Sequence, residues 1–306
     1  MKTYEFVTVD VFTDRRFGGN PLAVFPDAHG LSDADMQSLA AEFNLSETTF
    51  VLPPDDPAHT ARVRIFNRTA EMPFAGHPNV GTGWVLAGRG RAKGGMLRFE
   101  EIAGLVEVKV DGDAVTIAAP QPLSLGAEMP VGLLADCVGI APGEVVVASH
   151  RPGMASVGNS FIVAEVTAEA LTRAVPDIAR FRHAVTQYAP AGMGPKRLPL
   201  YLYAHAGRNG DRTRLRARMF SPLSGTVEDA ATGSAATPLA ALLLSQTADQ
   251  ERHYDIVQGV EMGRPSLLLA SARRAADGIR ASVGGGCVPV RPGVVSRSRM
   301  HLVSRA

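Results

Sequence analysis

The chain has 306 residues, of which 45% are hydrophobic and 20% charged, and its 31 basic and 30 acidic side chains leave a formal net charge of +1. This length suits two domains of about 150 residues, and the balanced charge argues against an extended nucleic-acid or membrane-surface footprint. Two cysteines with no CxxC word, and no apolar run near the ~20 residues of a membrane span, point to a soluble cytoplasmic protein without a disulfide framework.

The opening MKTYEFVTVDVF alternates like a strand over Tyr4–Phe12 and lacks the apolar core of a signal peptide. A turn at FGGNP (17–21) and a short strand at LAVF (22–25) follow. LSDADMQSLAAEF is the clearest helix. Ser32 is its N-cap, Asp35 completes an acidic capping box, and Leu31 and Met36 take the staple positions. Met36, Leu39, Ala40 and Phe43 form one apolar stripe, and Asn44 ends the helix. Strands are predicted over 48–54, stopped by Pro53 and Pro54, and over ARVRIF (61–66). Helix is predicted from Pro78 to Gly88 despite its glycines, then strands over 97–101, 106–110 and 114–119. PQPLSLGAEMP (120–130) reads as a linker between domains.

The second half opens with strands at 144–149 and 160–166, a helix near 168–182, and strands at 198–204 and 213–220. The basic run GRNGDRTRLRAR (207–218) reads as an exposed loop leading into an edge strand. SPLSGTVEDAATGSA (221–235) is expected to be a long loop, and AATPLAALLLSQ (235–246) an apolar helix. Strands return at 253–259, 266–272, 278–285 and 287–290. Helices and strands mix without a regular βαβ beat, which favours an α+β class over a doubly wound sheet.

Two stretches echo each other. EMPFAGHP (71–78) lies over EDAATGSA (228–235) at an offset of 157, with Glu71 over Glu228, Gly76 over Gly233 and His77 over Ser234. The preceding basic strands, ARVRIF and RLRARMF, align at an offset of 154, so the second half carries three extra loop residues. Gly19-Asn20 before LAVF echoes Gly158-Asn159 before FIVAEV. Three echoes in one order indicate an internal duplication.

Each repeat ends a loop and opens an apolar helix. A helix start presents unpaired N–H groups and attracts a carboxylate or a developing oxyanion. Pro78 is expected at the first helical position, Ser234 can cap the second helix and donate a hydrogen bond, and Pro238 falls at the edge of its first turn. Two such starts facing one another hold a small carboxylate and stabilise an enolate-like charge beside it. Glu47, flanked by Leu45, Phe50 and Val51, is the candidate proton carrier, since burial raises a glutamate pKa towards neutrality. Read alone, it is a loop glutamate flanking a strand, as most loop glutamates are, and Asp229 a solvated partner of Glu228.

VDVFTDRRFGGNPLAVF, FNLSETTFVLP, RIFNRTAEMPFAGHPNVGT, VEDAATGSAATPLAALL and VQGVEMGRPS occur in the order, and over nearly the whole length, in which they resemble the phenazine-biosynthesis isomerase (PhzF-like) family. The resemblance implies a diaminopimelate-epimerase-like fold: two pseudo-symmetric domains, each a barrel-like mixed β-sheet wrapped around a central helix, with the active site between them. It places an N-terminal domain at 1–122, completed by closing strands at about 288–306, and a C-terminal domain at 123–287. It also implies a homodimer, no cofactor, and isomerisation of a small carboxylate similar to trans-2,3-dihydro-3-hydroxyanthranilate. The family's acid–base glutamate maps onto Glu47. His77, Asp229 and Ser234 hold the substrate and relay the proton, and Gly76 and Gly233 bind it through backbone. Asn20 and Ser46 join them as substrate-binding candidates.

Ala230 departs from the family's DPATG word, a change expected to alter loop stiffness more than chemistry. Racemases and epimerases of this fold carry a cysteine before each repeat glycine. Ala75 and Thr232 stand there instead, so a two-cysteine mechanism is not expected. The remaining alternatives are an epimerase- or lyase-like enzyme on another small carboxylate, and a small-molecule binding protein without turnover. GRGRAKGG lacks the dinucleotide fingerprint, VGGGCVPV lacks a phosphate-loop lysine, and the eight histidines show no metal-ligand spacing.

Overall fold

The computed structural model describes residues 2–188, 190–191, 193 and 197–297. The first half runs β1 (Lys2–Val11), β2 (Asn20–Phe25), α1 (Asp33–Phe43), β3 (Glu47–Leu52), β4 (Ala61–Phe66), β5 (Glu71–Met72), α2 (Gly76–Gly88), β6 (Met96–Glu101), β7 (Gly104–Asp111) and β8 (Ala114–Ala118). The second continues with β9 (Ser124–Glu128), α3 (Val131–Val138), β10 (Val145–Val146), β11 (Gly153–Ser156), β12 (Ser160–Val166), α4 (Ala168–Arg173), α5 (Ile178–Gln187), β13 (Leu200–Asn209), β14 (Arg212–Ser221) and β15 (Thr226–Asp229). It ends with α6 (Gly233–Ser245), β16 (Glu251–Gln258), β17 (Ser266–Ala275), β18 (Gly278–Gly285) and β19 (Cys287–Arg297). The part of the expected closing segment beyond Arg297, 298–306, lies outside the described residues.

The two halves repeat one topology. β1–β2 are antiparallel, β2–β3 parallel, β3–β4 antiparallel and β4–β6 parallel, before the β6–β7–β8 meander. β11–β12, β12–β13, β13–β14, β14–β16 and β16–β17–β18 follow the same sequence of directions. Each barrel-like sheet wraps around one helix, α2 or α6, both of 13 residues and buried on nearly every side. The last meander strands meet, β18 pairing antiparallel with β8 through Val283↔Ile117, so the described strands form one 19-stranded sheet. β9, which follows β8, pairs with β11 of the second half, and β19, which follows β18, pairs with β1 from Val11↔Cys287 to Lys2↔Arg297.

Sequence chemistry explains the local choices. Ser32 caps α1 in a complete capping box, and Asn44 closes it in the left-handed region at φ 53°. The glycines of α2 are steric rather than flexible. A Cβ on Gly81 would lie 2.6 Å from Leu22 Cδ2, and one on Gly83 2.7 Å from Val108 Cγ1. The central core runs through both halves around Val80, Leu86, Leu239 and Leu244. α1 covers the outside of the first sheet over Phe25, Phe50 and Phe66, and α3, α4 and α5 cover the second over Leu134, Phe181 and Leu200.

Four expectations need correction. The helix near 168–182 is two helices, because Pro176 lies between α4 and α5. The 120–130 connector contains β9, and the 221–235 loop contains β15. The basic run leads into β14, an interior strand between β13 and β16, with Arg212 paired to Asp255 and Arg216 to Glu261. The three extra residues of the second half are accommodated by a 3₁₀ turn at Pro222–Ser224. Cys137 and Cys287 are free and buried. Among the described residues no helix is long and apolar enough to cross a membrane.

Candidate active site

The repeat strands use their basic residues identically. Arg64 of β4 grips Glu71 at 2.7 and 2.6 Å, and Arg218 of β14 grips Glu228 at 2.8 and 2.9 Å. These bidentate pairs tie each two-stranded corner that precedes α2 or α6. Glu228 is thereby a structural ion-pair partner.

α2 starts at Gly76, so Pro78 is its third residue rather than its first, still inside the turn where a missing N–H is harmless. α6 starts at Gly233 after Thr232, and Ser234 is its second residue, not its cap. Pro238 stands in the second turn, where it leaves the Ser234 carbonyl without its usual helical donor. The two starts meet. A Cβ on Gly76 would lie 3.0 Å from the Ser234 nitrogen and 3.2 Å from the Gly233 carbonyl carbon. Neither helix has a side-chain cap, and Ala235 N–H is taken by Thr232 O at 3.0 Å. The N–H groups of Gly76, His77, Gly233 and Ser234 have no acceptor among the described residues. Four donors, two from each half, match the lone pairs of one carboxylate.

These starts border a cleft of about 640 Å³ lined by Ser46, Glu47, Gly76, His77, Asp229 and Ser234, among others. Asn44 turns the chain so that Glu47 opens β3, and parallel pairing sets it opposite Leu22 on β2. Asn20, the first residue of β2, does not line the cleft. It is buried beneath, where Nδ2 donates to Asp229 Oδ1 and Ala231 O, both at 2.8 Å, and Oδ1 accepts from Ser46 Oγ at 3.1 Å. Its amide nitrogen also faces His77 Nδ1 at 3.4 Å. Both hydrogens of that nitrogen go to Asp229 and Ala231, so this longer approach is a packing contact; the ring's other nitrogen is Nε2. That atom lies 3.4 Å from Glu47 Oε2.

Burial pushes Glu47 up to about 8, helped by the Asp229 charge, while Ser46 and Arg68 pull the other way. Burial also raises Asp229 to about 6, against the opposing hydrogen bonds from Thr232 and Asn20. Burial lowers His77 to about 3, so its ring is neutral. Glu47 nonetheless keeps 16% of its side chain exposed, on the cleft. A carboxyl that keeps its proton up to about pH 8, a neutral imidazole and converging amides can move a proton at a carbon beside a carboxylate.

Two residues escaped the sequence. Thr232 Oγ1 donates to Asp229 Oδ2 at 2.6 Å, and Gln258 Nε2 donates to Asp229 O at 2.8 Å and Thr232 Oγ1 at 3.0 Å. A lone glutamine in the otherwise apolar DIVQG run was the available signal. Among the described residues no three His, Cys, Asp or Glu side chains converge as metal ligands.

A family profile described as phenazine biosynthesis-like protein matches residues 9–293. An uncharacterised isomerase of Mesorhizobium japonicum is 37% identical over 96% of this chain and 99% of its own. Trans-2,3-dihydro-3-hydroxyanthranilate isomerase of Pseudomonas chlororaphis is 35% identical over 95% of this chain and 99% of its own. The crystal structure of a Bacillus anthracis phenazine biosynthesis protein of the PhzF family superposes with a TM-score of 0.85 at 23% identity, covering 97% of this chain and 100% of that one. The fold is the diaminopimelate-epimerase-like one.

Proposed function

The chain belongs to the phenazine biosynthesis-like family, and from that premise we propose that it is an isomerase shifting a proton between carbons of a small amino- or hydroxy-carboxylate, with Glu47 as the single acid and base. The observation that carries this reading is the partly exposed Glu47 carboxyl on a cleft bordered by four N–H groups that have no acceptor among the described residues. The substrate carboxylate lies on those donors. Ionised Glu47 takes the proton as the C–H bond breaks, the electron pair spreads towards the carboxylate, and the amides hold the developing charge. Glu47 then returns the proton to another carbon, so no atom is gained or lost. His77 packs its neutral ring beside Glu47, with Nε2 3.4 Å from Oε2, Asp229 fixes Asn20 and the α6 start, and Ser234 contributes its N–H. Asn20 acts in this reading by positioning rather than by contact.

The Pseudomonas chlororaphis relative is named for trans-2,3-dihydro-3-hydroxyanthranilate, and a substrate similar to it fits the chemistry. Ala75 and Thr232 occupy the two helix caps, which disfavours paired-thiol epimerisation. The resemblance adds a cytoplasmic homodimer that needs no cofactor, with domains at 1–122 plus the closing strand and at 123–287.

Glu47→Gln tests the proposal. Deuterium wash-in from heavy water should fall by about 10²–10⁴-fold, the usual worth of a general acid–base group, while calorimetric affinity for the carboxylate persists. Undiminished wash-in would sink the assignment.

A further inference from the structure

The outer part of the cleft carries charge that the proton shift does not use. Arg68 and Arg197 both line it. Arg68 is half-buried in the turn between β4 and β5, beside exposed Thr69 and Ala70, whereas Gly76, His77 and Gly233 are buried at the floor. Arg197 is exposed just before β13. Arg68 reaches across the cleft. Its Nη2 donates to Gly225 O at 2.9 Å and faces Thr226 Oγ1 at 3.4 Å, in the matching turn of the other half.

That bridge fixes the guanidinium without consuming it. Nε and Nη1 of Arg68 have no acceptor, and neither arginine has a carboxylate within ion-pair distance, among the described residues. Arg64 and Arg218, by contrast, are each spent on a bidentate glutamate. Arg68 lines the same cleft as Glu47, and its charge opposes the rise of the Glu47 carboxyl. A preorganised guanidinium with open N–H groups and no counter-ion is a receptor for an oxyanion. A cleft of about 640 Å³ leaves room for it beyond a first carboxylate.

We propose that the substrate is an amino- or hydroxy-carboxylate bearing a second acid group, unlike the single-carboxylate compound for which the relative is named: one carboxylate rests on the amides at the floor and the second is held by Arg68, with Arg197 lining the same cleft. This rests on the carboxylate-binding reading above and names its substrate class. The arginines set specificity. A monoacid leaves Arg68 unpaired in a half-buried place, which favours the longer ligand.

Calorimetric titration with matched pairs tests this: methacrylate against itaconate, crotonate against glutaconate, and anthranilate against 2-aminoterephthalate. In at least one pair the diacid should bind roughly tenfold or more tighter, the worth of a hydrogen-bonded charge. Arg68→Gln should abolish most of that advantage and Arg197→Gln part of it, with monoacid affinity unchanged. Arg68→Lys, which keeps the charge and loses the fork, should fall between. Among the described residues Arg197 makes no hydrogen bond or ion pair, so Arg197→Gln reads binding without removing an internal contact. Monoacid binding with no diacid advantage in any pair, or an advantage that survives both Gln variants, overturns this inference alone. Failure of every acid to bind overturns the carboxylate reading, and this inference with it.

Discussion

Glu47 and Asp229 are carboxyls that the fold keeps protonated beyond their ordinary range, to about 8 and about 6. Burial also raises Glu101 to about 8. The sign follows from linkage. The folded chain binds more protons than the unfolded chain between the unfolded and folded pKa values, so stability falls as pH rises through that interval. Urea unfolding should therefore show a net decline from about pH 4 to pH 8, opposed in its acid part by the lowered His77, and Glu47→Gln should make it shallower by one proton, leaving the Glu101 and Asp229 shares. An unchanged slope would place Glu47 in solvent. Turnover runs the opposite way. Because ionised Glu47 abstracts the proton, kcat/KM should climb as pH rises through about 8, and that limb should vanish in Glu47→Gln. The cleft positions of Glu47, His77, Asp229 and Ser234 were legible because each stands in a short word that matches the family's; the bare residues alone left Glu47 and Asp229 as loop carboxylates. Arg68 and Gln258 were not, since their meaning depends on partners 157 and 29 residues away.

The elements were legible where local chemistry decides them, as in α1 with its capping box and left-handed Asn44. They were misread where tertiary contact decides. α2 extends two residues before Pro78 because the meeting of the two helix starts orders Gly76 and His77. β15 exists because Arg218 draws Glu228 onto β14. The Arg218 Nη1 group also donates to the carbonyls of Leu171, Thr172 and Ala174, closing the end of α4. Arg218→Met strands a half-buried glutamate, 15% exposed, and those carbonyls, and should cost about 3 kcal/mol in urea unfolding. Arg64→Met should cost less, since Glu71 is 23% exposed and water can replace its partner. Equal losses would mean that Arg218 does not anchor both elements.

On the scale of the whole molecule, the duplication was readable from word order and the return of the last strand to the first half from the family resemblance, but the crossing of β9 was not readable. Nothing in LGAEMP announces which half its strand will join. β1 depends on β19 along its full length. Deleting residues 288–306 should therefore speed amide exchange in Lys2–Phe6 well before α6 or β16 responds. Uniform acceleration would show the halves to unfold as one. The crossing of β9 and β19 also bears on origin. A polypeptide equivalent to one half ends in a strand with no berth in its own body, and only a twin can house it, offering its own tail in return. Joining two such twins head to tail yields this chain with every ladder intact, so a clasped pair of single units is the natural forerunner of the fused protein.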